Sequence, residues 1–255
     1  MKKLCIIPAR GGSKRLPQKN IKKLGKLPLI CHTIKKVYPF FDKIIVSSDD
    51  QNILNVSEDF IKSEIEKVNK KTKTVKDITK LNHYKDLLFK LDNIQLDNRP
   101  TELATDTSKV IDTVLYYSNI EKDDFSQVWL CLPTCPLKLK RDIKNAIELF
   151  DNSKNINSVI SITDFEFPPS LGLLKSQSNK IWSYDKNDPW ENGNTRSQDH
   201  EKVFRPNGAI YGSTIKSLLQ YKNYYLGNVL GYYMPRERSI DIDTEIDFKI
   251  AKALL

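Results

Sequence analysis

The chain has 255 residues, of which 39% are hydrophobic and 29% are charged, and it carries a net charge of +9 at neutral pH. This composition predicts one globular core, or one core with a small appended lobe, and excludes an intrinsically disordered chain. No apolar run approaches the length of a membrane span, and the N-terminal apolar run is interrupted by Pro8 and Arg10. We therefore expect a cytoplasmic protein without a membrane partner.

The positive charge is compatible with two classes of ligand, nucleic acids and small anionic substrates. Much of the excess lies in residues 62–90, where acidic residues are interspersed and the glycine-aromatic pattern of an RNA-binding sheet does not occur. We interpret this stretch as a solvated surface and expect no nucleic-acid partner. DNA binding that weakens linearly with the logarithm of salt concentration would contradict this interpretation.

A glycine pair follows the first apolar strand, residues 3–8, and basic side chains surround it. Glycines let backbone N–H groups approach an anion closely, and lysine and arginine supply charge for phosphate oxygens. The pattern therefore predicts a polyphosphate cradle, although its spacing differs from the P-loop and from the dinucleotide fingerprint. The alternative is a solvated basic turn. The basic residues are Arg10, Lys14, Arg15 and Lys19.

Apolar strands, polar loops and helical patterns alternate along the chain. Strands are expected at residues 3–8 and 43–48, with a helix over residues 28–37 between them. This order predicts an α/β fold with a mostly parallel sheet covered by helices on both faces. Ligands of such sheets bind beyond the carboxyl ends of the strands, where the loop 10–19 and residues 47–50 would lie together.

Three downstream segments carry further expectations. Residues 58–98 are lysine-rich with weak helical periodicity, which predicts a surface helical hairpin, with a lid or partner-binding arm as the alternative. Thr107 is expected to cap a helix that continues to Tyr117. The last helix is expected over residues 245–255. Its predicted buried side chains are Ile246, Ile250, Ala251 and Leu254.

Two carboxylates alternate with an apolar residue at Asp241, Ile242 and Asp243. On an extended segment both carboxylates point to the same side, and the isoleucine is buried on the other. Convergent carboxylates suit Mg²⁺, which takes oxygen ligands and completes its octahedron with water and substrate phosphates. The alternative is that one of the two acids caps a helix that begins at Thr244.

Four motifs in this order resemble the sugar cytidylyltransferases, in particular the CMP-N-acylneuraminate synthetase family. The motifs are PARGGSKRLP at 8–17, RPTELATDT at 99–107, RPNGAIY at 205–211 and SIDIDTE at 239–245. The resemblance implies a Rossmann-like, nucleotidyltransferase-like fold over residues 1–255, CTP and Mg²⁺ as substrate and cofactor, and a nonulosonic acid as acceptor. It also implies a homodimer, with residues 164–202 as a projecting dimerisation lobe and residues 58–98 as an insertion.

The same resemblance assigns roles to individual residues. Nucleotide binding falls to Arg10, Gly11, Gly12, Ser13, Lys14, Lys19, Asn20, Arg99 and Asp106. Catalysis falls to Arg10, Lys19, Asp241 and Asp243, of which the two aspartates are also the Mg²⁺ ligands. Sugar binding falls to Arg196, Gln198, Arg205 and Asn207. Alternatives stay open for two groups, because Arg99 could simply hold a loop and the segment with Arg196 and Gln198 could be a plain surface loop.

Several positions depart from the family pattern. The family has glutamine, serine and arginine where this chain has Leu132, Cys135 and Lys138, and a lysine where it has Leu171. Its paired serines are replaced by Lys109 and Val110. Leucine cannot hydrogen-bond to a sugar, so the acceptor could be legionaminic acid, pseudaminic acid or Kdo rather than N-acetylneuraminate. A nucleotide-sugar-binding protein without catalysis is the alternative from a different class.

Overall fold

The computed structural model describes residues 1–255. Its strands are β1 (Lys3–Pro8), β2 (Lys23–Leu24), β3 (Leu27–Pro28), β4 (Lys43–Ser48), β5 (Ile94–Asn98), β6 (Gln127–Leu130), β7 (Ser158–Asp164), β8 (Leu173–Lys175), β9 (Ile181–Ser183), β10 (Phe204–Thr214) and β11 (Val229–Tyr233). Its helices are α1 (Leu29–Val37), α2 (Gln51–Thr74), α3 (Ile78–Asp92), α4 (Val110–Glu121), α5 (Lys140–Asn152), α6 (Pro189–Asn192), α7 (Ile215–Tyr221) and α8 (Glu245–Ala253).

One sheet of seven strands organises the chain, in the order β11-β7-β10-β6-β1-β4-β5. Strand β10 runs antiparallel to both of its neighbours, and every other pairing in this sheet is parallel. The other strands form two small hairpins, β2–β3 and β8–β9. The predicted mostly parallel α/β fold is therefore confirmed. None of the helices has the length and apolarity required to cross a membrane.

The central strand β1 is buried on both faces of the sheet. Cys5 and Ile7 belong to the larger apolar cluster, whereas Leu4 and Ile6 belong to a second cluster on the opposite face. Side chains alternate across a strand, so a continuous apolar run is what a strand covered on both sides requires. Helices α1, α2, α3 and α5 contribute to the larger cluster, and α4 and α7 contribute to the second.

Residues 58–98 are integral to the fold. Phe60 and Val68 of α2 and Leu91 of α3 are buried in the larger cluster, while the lysines of these helices other than Lys90 face solvent. The sequence pattern indicates the helices but not β5, which pairs parallel with β4 at the edge of the sheet. Strand β5 alternates half-buried and exposed residues and ends in polar ones, so its apolar signal is weak.

Two expectations at helix ends are wrong. Helix α4 begins at Val110 rather than after Thr107, because the Asp112 carboxylate accepts a hydrogen bond from the Lys109 N–H at 3.0 Å and closes the first turn there. In α8 only Phe248 and Ala251 are buried, against Leu16 and Leu24. The helix lies at the edge of the molecule and contacts it along this single stripe. The predicted residues Ile246, Ile250 and Leu254 are exposed instead.

Gly212 on β10 allows the largest buried side chain to pack on the sheet. It pairs with Trp129 of β6, and a Cβ at Gly212 would lie 2.6 Å from the indole ring. The indole cannot easily move away, because it is fully buried, packs against Phe41 and Phe150, and donates its N–H to Gln127 Oε1 at 3.0 Å.

We expect Gly212→Ala to lower the free energy of unfolding by about 1–3 kcal/mol, because the added methyl group overpacks the core. Urea denaturation followed by tryptophan fluorescence measures the change. Gly12→Ala is the matched control, since nothing lies within 4 Å of a Cβ at that position. Equal stability of the Gly212→Ala variant and the wild type would contradict this account of the packing.

Candidate active site

A cleft with a volume of about 320 Å³ opens at the carboxyl ends of the parallel strands. Pro8 ends β1, Arg99 follows β5 and Leu132 follows β6, and all three line it. Eight of the residues predicted from the motifs also line this cleft. They are Arg10, Ser13, Lys14, Lys19, Asn20, Arg99, Asp106 and Asp243. The fold therefore brings the loop after β1 together with residues that are far apart in the sequence.

The loop after β4 approaches position 11 so closely that a glycine is required there. The Gly11 N–H donates to Asp49 Oδ1 at 3.0 Å, and a Cβ on Gly11 would lie 2.7 Å from the Cβ of Asp50. Asp50 also caps α2 by accepting from the Asn52 N–H at 2.8 Å. The loop after β1 is therefore anchored on the residues at the start of α2. This contact confirms the expectation that the loops after β1 and β4 lie together.

Residues 12–15 of the loop leave most of their backbone N–H groups without a partner in the protein. The Ser13 N–H donates to the Gly11 carbonyl at 2.8 Å, but the N–H groups of Gly12, Lys14 and Arg15 have no partner within the protein. Unpaired N–H groups beside basic side chains form a site for anions. The loop therefore offers both charge and backbone hydrogen bonds to a polyphosphate.

Asp106 lies opposite the loop and pairs with two of its cations. Lys14 Nζ lies 2.6 Å from Asp106 Oδ2, and Arg10 Nη1 lies 3.7 Å from Asp106 Oδ1. The hydrogen bond from Lys14 is the main reason that the pKa of Asp106 is lowered. Lys14 and Asp106 are largely exposed and Arg10 is partly exposed, so these pairs are weak and a more highly charged anion can replace the carboxylate.

Asp243 pairs with the other end of the loop. Arg15 Nη2 and Lys19 Nζ each lie 2.9 Å from one of its carboxylate oxygens. Lys19 also donates to the Ile242 carbonyl at 2.7 Å, and only 11% of its side chain is exposed. Lys19 is therefore held in a fixed position, whereas Arg15, with 70% of its side chain exposed, is not.

Arg99 is buried beneath the cleft. Its Nε donates to Ser47 Oγ at 3.1 Å and its Nη2 donates to the Ser47 carbonyl at 2.6 Å, while Nη1 has no protein partner. Burial lowers the pKa of Arg99, and the nearby charge of Asp49 opposes this effect. Arginine stays charged at neutral pH in spite of such a shift. One edge of the guanidinium therefore binds Ser47 near the end of β4, and Arg99 still supplies positive charge to the cleft.

Asp241 and Asp243 flank a buried residue as the alternation predicts, but of the two only Asp243 lines the cleft. Ile242 is fully buried, Asp241 is exposed and Asp243 is partly exposed. Neither acid caps α8, because Thr244 is the N-cap and accepts from the Asp247 N–H at 3.4 Å, while Asp247 accepts in return from the N–H groups of Thr244 at 2.7 Å and Asp243 at 3.1 Å. The capping alternative for one of the pair is therefore wrong.

The metal-binding capacity of this segment is limited to two carboxylates. The protein has no group of three or more His, Cys, Asp or Glu side chains that could hold a metal ion. Asp241 has no ion-pair partner, whereas both oxygens of Asp243 accept from Arg15 and Lys19. One or two carboxylates suffice for Mg²⁺ when substrate phosphates complete its coordination, so the donor set fits this ion.

The four predicted sugar-binding residues do not line the cleft. Arg205 is partly buried on β10, and the Asn207 side chain is fully used within the protein. Asn207 Oδ1 accepts from Ser161 Oγ at 2.6 Å, and its Nδ2 donates to Ser239 Oγ at 2.8 Å. The side chain thereby ties β10 to β7 and to the segment that precedes Asp241.

The other two lie on the lobe formed by residues 164–202. Arg196 Nε is 3.7 Å from Asp199 Oδ2, and Gln198 lines a separate cavity of about 480 Å³. Leu171 is buried inside the lobe with 2% exposure, whereas Leu132 lines the cleft. Leu132 therefore presents an apolar surface to the cleft, and Leu171 serves packing.

Lys138 positions one wall of the cleft, a role that the sequence did not reveal. Its side chain is fully buried, and Nζ donates to the carbonyls of Leu132 and Cys135 at 2.7 and 2.9 Å and to Thr33 Oγ1 at 3.2 Å. Burial lowers its pKa, yet three acceptors surround the ammonium group. A lysine within an apolar, proline-rich loop is the sequence signal that could have indicated this role.

Cys135 is a packed thiol beside Asp241. Its Sγ donates to the Asn207 carbonyl at 3.2 Å, and burial, followed by the charge of Asp241, raises its pKa well above the usual range. The thiol therefore stays protonated, and no thiolate chemistry follows from it. Gly208, with a φ of +76°, brings the backbone close here, since a Cβ would lie 3.3 Å from Asp241 Oδ2.

Comparisons with known proteins agree with this arrangement. The pseudaminic acid cytidylyltransferase of Campylobacter jejuni is 29% identical over 256 residues, which cover 100% of this chain and 96% of that protein. The N-acylneuraminate cytidylyltransferase of Streptococcus agalactiae is 31% identical over 252 residues, which cover 97% of this chain but 52% of that protein.

The fold is also found among solved structures. A structure of CMP:2-keto-3-deoxy-manno-octonic acid synthetase complexed with CTP superimposes with a TM-score of 0.62 at 14% identity, covering 100% of this chain and 98% of that one. The model of the family described as cytidylyltransferase matches residues 4–253. The chain therefore belongs to the cytidylyltransferase family, together with the CMP-sialic acid synthetases, and is a CTP-dependent nucleotidyltransferase.

Proposed function

We propose that this enzyme transfers CMP from CTP to the anomeric hydroxyl of a nonulosonic acid, a sugar acid of the sialic acid type, and releases pyrophosphate. The observation that carries the proposal is the cleft in which the basic loop faces Asp243, with Asp241 two residues away. The relatives named for pseudaminic acid and N-acylneuraminate support this class of acceptor. Because CTP is the substrate, we infer that the reaction takes place in the cytoplasm.

The residues of the loop act by binding and charge compensation. The anomeric oxygen attacks the α-phosphorus in line, and no covalent enzyme intermediate is needed. Arg10, Lys14 and Lys19 stabilise the negative charge that accumulates on the leaving pyrophosphate, and Ser13 adds a hydroxyl donor. Lys19 is the best positioned of the cations, because its contacts to Ile242 and Asp243 fix its ammonium group.

Asp241 and Asp243 are the residues that would hold Mg²⁺. When bound, the ion would neutralise phosphate charge and lower the pKa of the attacking hydroxyl. The protein's own contribution is to present Asp241 without a competing cation, while Lys19 holds Asp243 in place. Asn207, Ser239 and Cys135 in turn support the segment on which Asp241 stands.

The first prediction concerns the reaction itself. With CTP and Mg²⁺, we expect pyrophosphate release that depends on one of four acceptors: N-acetylneuraminate, legionaminic acid, pseudaminic acid or Kdo. EDTA should abolish the release, because the triphosphate charge would no longer be neutralised. A coupled pyrophosphate assay measures it. CTP binding without release for any of these acceptors would refute transfer to them and favour a nucleotide-sugar-binding protein.

The second prediction tests the metal ligands. We expect Asp241→Asn to lower the turnover rate by a factor on the order of 10² to 10³, because a charged group that stabilises the transition state is lost. CTP binding, measured by calorimetry in EDTA, should largely persist. Asp123→Asn is the matched control, since Asp123 is exposed beside the N-terminus, before β6. Retained turnover in Asp241→Asn would remove this residue from the metal site.

We further propose a homodimer that forms through the lobe of residues 164–202. Large apolar side chains are exposed on this small segment, and such a patch is typical of an interaction surface. The exposed residues are Phe165, Phe167, Leu173, Leu174, Ile181, Trp182, Tyr184 and Trp190. A lobe that docks on a second copy would bring Arg196 and Gln198 toward that copy's cleft, which neither residue reaches within its own chain.

The third prediction concerns this dimer. We expect Trp182→Glu to raise the dissociation constant by a factor on the order of 100, because it buries an unpaired charge in the interface. Sedimentation velocity over a concentration series measures the constant. Phe89→Glu is the control, because Phe89 is also an aromatic residue, is 61% exposed and lies on α3, away from the lobe. A monomeric wild-type protein, or an unchanged dimer in Trp182→Glu, would exclude the lobe as the interface.

A further inference from the structure

Two polar atoms at the cleft lack a hydrogen-bond partner although their side chains are buried. They are Oδ1 of Asn20, which has 5% exposure, and Oγ1 of Thr113, which is fully buried. Both residues line the cleft. Buried polar atoms in folded proteins almost always have partners, so an orphan at a cleft indicates where polar atoms of a ligand bind. Asn20 belongs to the loop already assigned to the nucleotide, whereas Thr113 has no assigned role.

The helix does not use the Thr113 hydroxyl. A threonine in a helix commonly donates to the carbonyl four residues earlier, which here belongs to Lys109. Thr113 makes no such bond, and the Lys109 carbonyl accepts from the Asp112 N–H at 3.0 Å. Threonine is also restricted about χ1, so the hydroxyl is presented in a defined direction. Thr113 therefore keeps its hydrogen-bonding capacity for another molecule.

The position of Thr113 is fixed relative to Arg99. The next residue, Val114, and Tyr117 are buried beneath the sheet, and the Tyr117 hydroxyl lies 3.0 Å from Ser47 Oγ. The same Ser47 Oγ accepts from Arg99 Nε at 3.1 Å. Helix α4 and the buried arginine thus share one anchor on β4. Thr113 and Arg99 both line the cleft, and this shared anchor links the elements that carry them.

The side of the cleft formed by α4 has a lining that suits a nucleotide base rather than phosphates. Val110 lies three residues before Thr113 on the same face of α4, and Leu103 adds further apolar surface. Most cations of the cleft belong to the loop 10–19. A pyrimidine needs apolar contacts for its faces and hydrogen bonds for its edge, whereas a triphosphate needs cations.

We propose that Thr113 is a nucleotide-binding residue whose hydroxyl hydrogen-bonds to the pyrimidine base of CTP, given the CTP-dependent reaction proposed above. Thr113 supplies a hydroxyl one helical turn after Val110, at the end of α4 that lines the cleft. The role is one of binding and base recognition, so it affects affinity for CTP rather than the chemical step.

The experiment compares Thr113→Val, which removes the hydroxyl at nearly constant shape, with Thr113→Ser, which keeps it. We expect Thr113→Val to raise the KM and the Kd for CTP roughly three- to tenfold with little change in kcat, because one neutral hydrogen bond is lost. Thr113→Ser should behave like the wild type. Inorganic tripolyphosphate, which has no base, should inhibit the wild type and Thr113→Val equally. A merely structural role would weaken both ligands together.

Ser118→Ala is the control, because Ser118 lies on the same helix, is buried and has an unpartnered hydroxyl, but does not line the cleft. It should leave the KM for CTP unchanged. Wild-type protein that neither binds CTP nor releases pyrophosphate would refute the proposed function. If the wild type turns over and Thr113→Val keeps its KM, or loses tripolyphosphate binding as well, this inference alone is wrong.

Should Thr113→Val fail to fold, Thr113→Ala serves as the second variant without the hydroxyl, since alanine favours a helix. If both variants lose cooperative unfolding while Thr113→Ser retains it, the hydroxyl serves folding and the inference is refuted. If Thr113→Ala folds, its KM for CTP relative to Thr113→Ser decides the question.

Discussion

The candidate site depends on one constraint, the common direction of β1, β4, β5 and β6. Parallel strands place all their carboxyl ends at one edge of the sheet, so the segments that follow them must meet there. Strand β1 is central and buried on both faces, and the chain beyond Pro8 leaves its hydrogen-bond ladder. The glycine pair lets this segment turn against Asp49 while its next N–H groups stay unpaired. The anion site follows from the way the central strand ends.

Salt bridges hold the loop after β1 in place, yet they leave its cations available to a substrate. Exposed pairs such as Lys14 with Asp106 contribute little to stability because water screens them, so a triphosphate with several charges would displace the carboxylate. Lys19 differs, because its buried ammonium also binds the Ile242 carbonyl. The outer cations would therefore exchange partners on substrate binding, while Lys19 connects the loop to the aspartate segment.

Local chemistry explains which parts of this structure could be predicted from the sequence. Strands β1 and β4 have continuous apolar runs, and the loop after β1 has its glycine pair and its basic residues within about ten positions. The strands and the loop were therefore predictable. Strand β5 was missed because it lies at the sheet edge and carries polar residues. The roles of Lys138 and Thr113 depend on partners, or on missing partners, that only the folded chain defines. A motif likewise names Asn207 without showing that its side chain faces inward.

The residues predicted to bind the acceptor differ in location from those predicted to bind the nucleotide. Seven of the nine residues predicted to bind the nucleotide line the cleft, whereas Arg205, Arg196 and Gln198 do not. Leu132 replaces a hydrogen-bonding group with an apolar one at the wall where an acceptor would approach. In the proposed dimer, polar groups that recognise the sugar acid would come from the lobe of the second copy, which presents both exposed apolar side chains and Arg196. Acceptor recognition would then be coupled to assembly.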